Sequence, residues 1–190
     1  MRYPPDQKAK AKEAILQAGA QALRTNGFNG IGVDGLAAAA GVTSGAFYSN
    51  FPSKQALLEG VIESCLGKSF IDSDTGSVAE RRDLLRQWLT EYISVCHREN
   101  PASGCVMPTL SADVARAGPA VRETYRLRMA ELIGKVSAVL GGNEADRERR
   151  AWSIVSMMVG VISISRAMPD GEEANRAIDH ALETAVSLIG

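Results

Sequence analysis

Histidine, cysteine and aromatic residues are scarce in this 190-residue chain. Two isolated histidines, His97 and His180, and an odd number of cysteines, Cys65, Cys96 and Cys105, show no metal-site spacing, so no metal ligand set is expected. No phosphate loop, no Ser-His-Asp order and no paired-carboxylate constellation emerges, so neither an enzyme nor a bound cofactor is expected. Aromatics are limited to four Phe, four Tyr and two Trp, and few runs alternate strictly between apolar and polar residues. A sandwich or barrel is therefore disfavoured. Seven prolines leave room for long helices. The longest apolar run, Trp152 to Ser165, is too short and too rich in serine to span a bilayer. The amino terminus is polar, carries Pro4 and Pro5 and lacks a secretory signal, so a reducing cytoplasm is the expected location.

What remains is 45% hydrophobic and 23% charged, ordinary values for one or two globular units. The net charge of −1 by itself suggests no nucleic-acid partner, but its distribution is uneven. Residues 1–54 hold six basic and three acidic residues; the rest holds fifteen and nineteen. A basic end on an acidic body suits a protein that touches DNA with one end. The excess is modest, so two such ends acting together are expected.

Helical periodicity runs through the chain, and nine helices are expected. The first spans about Asp6 to Asn26, with Ile15, Ala18, Gly19, Ala22 and Leu23 on one face and Lys8, Lys10 and Lys12 near its start. From Val33 to Phe51 the chain reads as two short helices joined at Gly41, where a reversal needs the positive φ that glycine tolerates. Val33, Leu36, Ala37 and Ala40 mark the inner face of the first of these, and Ala46, Phe47 and Phe51 hold down the second. Gly32 precedes the pair as an N-cap without a hydroxyl. This is the layout of a helix-turn-helix, whose second helix enters the major groove. Ser53 begins a fourth helix, running to about residue 70. A polar stretch from Ile71 to Ser77 marks the junction to a larger body. The fifth helix is expected from Val78 to Glu99, with Leu85, Trp88, Leu89, Tyr92 and Cys96 inward and His97 toward solvent. Shorter and longer helices follow at about 105–116, 119–140, 144–168 and 172–189.

The string Gly41-Val42-Thr43-Ser44-Gly45-Ala46-Phe47-Tyr48, followed by Phe51-Pro52-Ser53-Lys54-Gln55-Ala56-Leu57-Leu58, resembles the DNA-binding domain of the tetracycline-repressor (TetR) family. The resemblance covers roughly residues 8–65. It implies an all-α fold: a three-helix helix-turn-helix domain over 1–54, connected by a fourth helix (53–70) to a ligand-binding and dimerisation domain over 55–190. It further implies a homodimer paired through the last two helices, a palindromic double-stranded operator, and a small-molecule effector bound among helices four to eight. The expected function is a ligand-responsive DNA-binding transcriptional regulator, a repressor released by a small apolar or aromatic molecule.

Candidate DNA contacts follow from chemistry. Thr43 can cap the recognition helix or bond a phosphate, Ser44 projects toward the groove, and Gly45 lets the backbone approach. Tyr48 and Ser49 lie one turn further on. Lys54, at a helix start, supplies a point charge for phosphate. By the resemblance, the Tyr and Lys positions contact the DNA backbone. The recognition helix has no Arg or Lys of its own, so a bidentate guanine contact is not expected from it.

For the effector, an apolar mix with polar tips suits a flat or greasy molecule. The candidates are Trp88, Tyr92, Met107 and Leu110, together with Tyr125, Met129, Trp152 and Met157. Cys105 joins them: it follows Gly104 at an expected helix start, and Gly104-Cys105-Val106-Met107 resembles a Gly-Cys motif of one branch of the family, in which some members sense oxidants or electrophiles through cysteine. The alternative function is therefore a thiol-based redox or electrophile sensor acting through Cys105. Finally, Trp152 to Ile164 is apolar nearly all round, and a helix of that kind needs cover on every side. With the last helix it reads as half of a four-helix bundle completed by a second copy.

Overall fold

The computed structural model of the chain describes residues 5–67 and 76–190. The described residues form ten helices and no strand. They are α1 (Pro5–Asn26), α2 (Val33–Ala39), α3 (Ser44–Asn50), α4 (Lys54–Cys65), α5 (Val78–Tyr92), α6 (Val95–Glu99), α7 (Met107–Ala115), α8 (Pro119–Val139), α9 (Glu144–Ala167) and α10 (Glu172–Ser187). The fold is all-α, as expected. Of the expected polar junction, Ile71 to Ser77, residues 71–75 lie outside the described residues, as do residues 68–70 of the expected fourth helix.

One helix more than expected is present because the predicted fifth helix is two. Ile93 leaves helical geometry at φ −87°, ψ 74°, and Ser94 starts α6 by accepting a bond from the His97 N–H. The serine hydroxyl offers the backbone a partner that competes with continuing the helix. This break changes two assignments. Cys96, expected to face inward, is exposed. His97, expected to face solvent, is half-buried, with its ring 4.4 Å from that of Tyr92 and Nδ1–H donating to the Tyr92 carbonyl at 2.7 Å.

The chain divides into two compact units. The first comprises Met1–Leu66 and Ala102–Leu127; the second comprises Gly67–Pro101 and Arg128–Gly190. The head of residues 1–54 expected from sequence thus lies inside a larger unit. In that unit α1 lies against α2, α3, α4 and α7. Ile15, Leu23, Leu36, Phe47, Leu57 and Leu58 are completely buried. Gly19 permits the close approach of α1 and α4: a Cβ there would lie 2.9 Å from Leu57 Cδ2.

Polar bonds attach the 102–127 segment to the helices that precede it. The Asp113 carboxylate on α7, with a side chain only 9% exposed, accepts the Phe28 backbone N–H at 3.0 Å. The Ala102 carbonyl accepts from Arg24 at 3.3 Å, and Thr124 on α8 donates to Glu59 on α4 at 3.0 Å.

The second unit is built on α9 and α10, which lie side by side, with α5 against α10 and α6 against α9. Three arginines, Arg98 buried and Arg150 and Arg166 half-buried, tie its segments. Arg98, 6% exposed, donates to the Ser165 carbonyl at 3.0 Å and pairs with Asp170. Arg166 returns two bonds, to the carbonyls of His97 and Arg98. Arg150 binds Asp146 and the carbonyls of Gly141 and Leu188, fixing the α8–α9 turn to the end of α10.

Two outcomes are expected. Asp113→Ala leaves the part-buried Phe28 N–H without its acceptor, which costs about 1–3 kcal/mol and lowers the melting temperature by about 2–4 °C for each kcal/mol. Arg126→Ala, which removes only an exposed pair with Glu123, leaves the melting temperature unchanged. The second outcome concerns pH. Burial pushes His97 below its usual range, the Tyr92 carbonyl partly opposes this, and the Arg166 charge adds to it. The unfolded ring titrates near about 6.5, above the folded one, so the unfolded chain takes up the proton first. The stability His97 supplies is complete above about pH 6.5 and is lost as pH falls through its folded value. The fall in melting temperature between pH 7 and pH 5 should flatten in His97→Gln relative to wild type; an unchanged slope means that other groups cause it.

Candidate nucleic-acid interface

Seven residues are too few to hold a helix in water, so α3 depends on its surroundings. At its start, Thr43 is extended (φ −80°, ψ 157°) and its hydroxyl oxygen accepts the Ala46 N–H at 3.1 Å. Before it, Gly41 takes φ 66°, and the Val42 N–H closes the turn on the Ala37 carbonyl at 2.9 Å. The inner side is aromatic. Phe47 is completely buried, Phe51 is 4% exposed, and their ring centroids lie 6.0 Å apart. Four consecutive residues therefore do opposite things: Ser44 and Gly45 open the helix, Ala46 is half-buried, and Phe47 fills the core.

The outer side carries the candidate contacts. Tyr48 is 54% exposed, its ring edge-on to Phe47 at 5.6 Å, so the phenol stands on a fixed support. Thr43, Gly45 and Ser49 are exposed and Ser44 is half-buried. The Ser49 hydroxyl donates to the Gly45 carbonyl at 2.9 Å, leaving its oxygen to accept. Ser44 donates to Asp34 Oδ1 on α2 at 2.6 Å. Asp34 escapes a reading of the sequence, because ten residues separate it from Ser44 and only the turn at Gly41 makes them neighbours.

Lys54 sits at the start of α4, where the Ser53 hydroxyl accepts the Ala56 N–H. Its ammonium lies 4.3 Å from the centre of the Phe28 ring. That contact fixes the charge while leaving N–H groups able to donate elsewhere. Lys12 lies in a longer relation of the same kind to Phe51, at 5.9 Å. Gly32 caps α2 without a side-chain bond.

The candidate effector residues are distributed over both units. In the first, Met107 and Leu110 are buried in α7, and Tyr125 on α8 shares a 2.8 Å hydrogen bond with Ser111. Burial pushes the Tyr125 phenol up; the Ser111 bond opposes this, and nearby Cys105 adds to it. Cys105 precedes α7 rather than beginning it, and its sulfur accepts the Met107 N–H at 3.4 Å. In the second unit, Trp88 and Tyr92 are neighbours on α5 with ring centroids 5.6 Å apart. Met129 and Met157 are half-buried, whereas Trp152 is 44% exposed on α9. Among the described residues no helix is long and apolar enough to cross a membrane, and no group of three or more His, Cys, Asp or Glu could hold a metal ion.

Residues 15–61 match the family described as bacterial regulatory proteins, tetR family. Over 136 residues the chain is 32% identical to the nucleoid occlusion factor SlmA of Shewanella amazonensis, a match covering 70% of this chain and 66% of that protein. It is 31% identical over 105 residues to the SlmA of Marinobacter nauticus, covering 54% and 53%. The chain thus spans between half and two thirds of the length of these curated relatives. Among solved structures, the reduced form of Escherichia coli NemR superposes with a TM-score of 0.73 at 20% identity, covering 95% of this chain and 97% of that one. A TetR-family regulator from Cytophaga hutchinsonii gives 0.76 at 16%, covering 100% and 96%. These two likenesses are of fold.

Proposed function

This chain belongs to the TetR family of bacterial regulatory proteins, and from that premise we propose that it is a homodimeric DNA-binding transcriptional regulator. The observation that carries the reading is the division of α3 into a buried and an offered side. Phe47 is completely enclosed, and the next residue, Tyr48, stands more than half exposed beside Ser44, Gly45 and Ser49. A tyrosine displayed in this way has an apolar ring for sugar or a thymine methyl and a hydroxyl for phosphate. Residues 1–54 form the DNA-binding domain, α4 connects it to the rest, and residues 55–190 serve effector binding and pairing. Thr43, Ser44, Gly45, Tyr48, Ser49 and Lys54 are the residues assigned to DNA.

The pairing surface is assigned to α9 and α10. Between Ala151 and Ser165 α9 has no charged residue, yet Trp152 is 44% and Ile164 60% exposed. Ser156 and Gly160 fall between them on the same side of the helix. A solvent-facing side normally carries charge; an uncharged one with a small residue in its middle suits a second helix lying against it. Trp152 is therefore assigned to this surface rather than to an effector site. A small apolar or aromatic effector, met by Cys105, Met107, Leu110 and Tyr125 within the first unit or by Trp88, Tyr92, Met129 and Met157 within the second, releases the dimer from its operator by preferring a different spacing of the two heads. The two recognition helices must sit about 34 Å apart to read both half-sites.

Two measurements test this. Tyr48→Ala and Lys54→Ala should weaken binding to a selected palindromic duplex, and the slope of log K against log salt should fall by about 1 for each phosphate that a variant no longer reaches. A folded double mutant that binds with the wild-type salt slope removes these residues from the interface. Ile164→Glu should place a charge in the pairing surface and convert the dimer to a monomer in sedimentation velocity. A dimer that survives Ile164→Glu and Trp152→Glu together places pairing elsewhere.

A further inference from the structure

Resting on the DNA-binding reading, we infer that Asp34, on the first helix of the helix-turn-helix, determines sequence specificity: it fixes Ser44 as an acceptor and presents its own free oxygen to the amino group of a cytosine in the major groove. The Ser44 hydroxyl has a single hydrogen, and the 2.6 Å bond commits it to Asp34 Oδ1. Ser44 is the first residue of α3, and the first residues of a recognition helix are those that meet base edges. A carboxylate held to that hydroxyl stands at the same edge.

Where Ser44 and Asp34 lie, the hydrogen-bonding character of this edge is one-sided. Thr43 uses its oxygen as a cap, Gly45 has no side chain, and Ser49 donates its hydrogen to the Gly45 carbonyl. No Arg or Lys lies in α3. Ser44, Asp34 and Ser49 therefore offer oxygens that accept, while the Thr43 hydroxyl hydrogen and Tyr48 are able to donate. An accepting edge is matched by base donors, which in the major groove are the N4 amino group of cytosine and the N6 amino group of adenine. Asp and Glu pair with cytosine N4, whose own base presents no acceptor in the major groove, whereas adenine carries N7 beside its amino group, which repels a carboxylate.

The position of the charge supports the same conclusion. Asp34 is exposed, and among the described residues no cation pairs with it. Lying in the first turn of α2, it gains from the helix dipole. That accounts for an acidic residue in α2, but not for its bond to the first residue of α3. An unpaired carboxylate at a surface that approaches phosphates lowers affinity for DNA in general. It becomes favourable only where a donor on the duplex meets it, which makes it a discriminating group.

Full-length wild type, Asp34→Ala and Asp34→Asn are each used to select bound duplexes from a random DNA pool, and affinities are then measured for the selected site with each base pair replaced. Wild type should select a palindrome with one fixed C·G pair per half-site, discriminated roughly 5- to 150-fold. Asp34→Ala should keep the half-site spacing and the other positions, lose discrimination at that pair to under about twofold, and bind unrelated duplex more tightly at low salt. Asp34→Asn, nearly isosteric and still an acceptor for Ser44, should shift that position toward adenine through its added donors. It also decides the matter if Asp34→Ala does not fold. Identical selected sites and discrimination for all the folded proteins overturn the inference while leaving the DNA-binding reading intact, and confine Asp34 to tying α2 to α3. If wild type selects no duplex, the DNA-binding reading fails and this inference fails with it.

Discussion

The enclosure of Phe47 is the constraint on which the amino-terminal unit depends. A seven-residue helix has no stability of its own, so its direction is set by what it buries. Phe47 has no exposed surface, and Phe51 lies against it at the helix end. With those two rings fixed, the rotation of α3 about its axis is fixed as well, and residues 44, 45, 48 and 49 can point only outward. Burying a phenylalanine contributes on the order of 1.5–3 kcal/mol. That exceeds the cap at Thr43, which contributes about 1 kcal/mol. The cap sets where the helix begins; the ring sets which way it faces.

The same unit contains a segment from far along the chain. Asp113 on α7 receives the Phe28 N–H, and the Ala102 carbonyl receives Arg24. The turn after α1, on which the Lys54 ammonium rests through the Phe28 ring, is thus held by a residue of the body half of the sequence. The first unit ends within α8, between residues 127 and 128. Any change in α7 or in the early turns of α8 therefore acts directly on the residues that support the head.

In the second unit the polar work is done by arginines that bond to backbone carbonyls, two of them also holding a carboxylate, Arg98 that of Asp170 and Arg150 that of Asp146. Arg98 and Arg166 exchange bonds between α6 and α9, and Arg150 joins the α8–α9 turn to the end of α10. Each satisfies acceptors that a helix end leaves unpaired. The guanidinium suits this because its planar donors reach two carbonyls at once. What these clamps leave uncovered is the uncharged outer side of α9, where Trp152 and Ile164 are exposed.

Helical class, the turn at Gly41 and the buried roles of Leu36, Phe47 and Phe51 were all legible in the sequence, because they depend on local spacing and on side-chain chemistry that acts within a few residues. Family membership was legible for the same reason: the string from Gly41 to Leu58 is contiguous. The break between α5 and α6 was not, since a 3.6-residue period continues through Ser94 and only the competing bond of its hydroxyl ends the helix. The outward turn of Cys96 and the inward turn of His97 follow from that break. The bond from Ser44 to Asp34 and the bond from the Phe28 N–H to Asp113 were likewise invisible, the first spanning ten residues and the second eighty-five. Periodicity and turn chemistry are properties of neighbours along the chain, so away from the break at Ser94 the segments that became helices, and the sides they bury, were fixed by local sequence. Which carboxylate meets which donor depends on the distance between segments after packing, a quantity that no local stretch of residues contains.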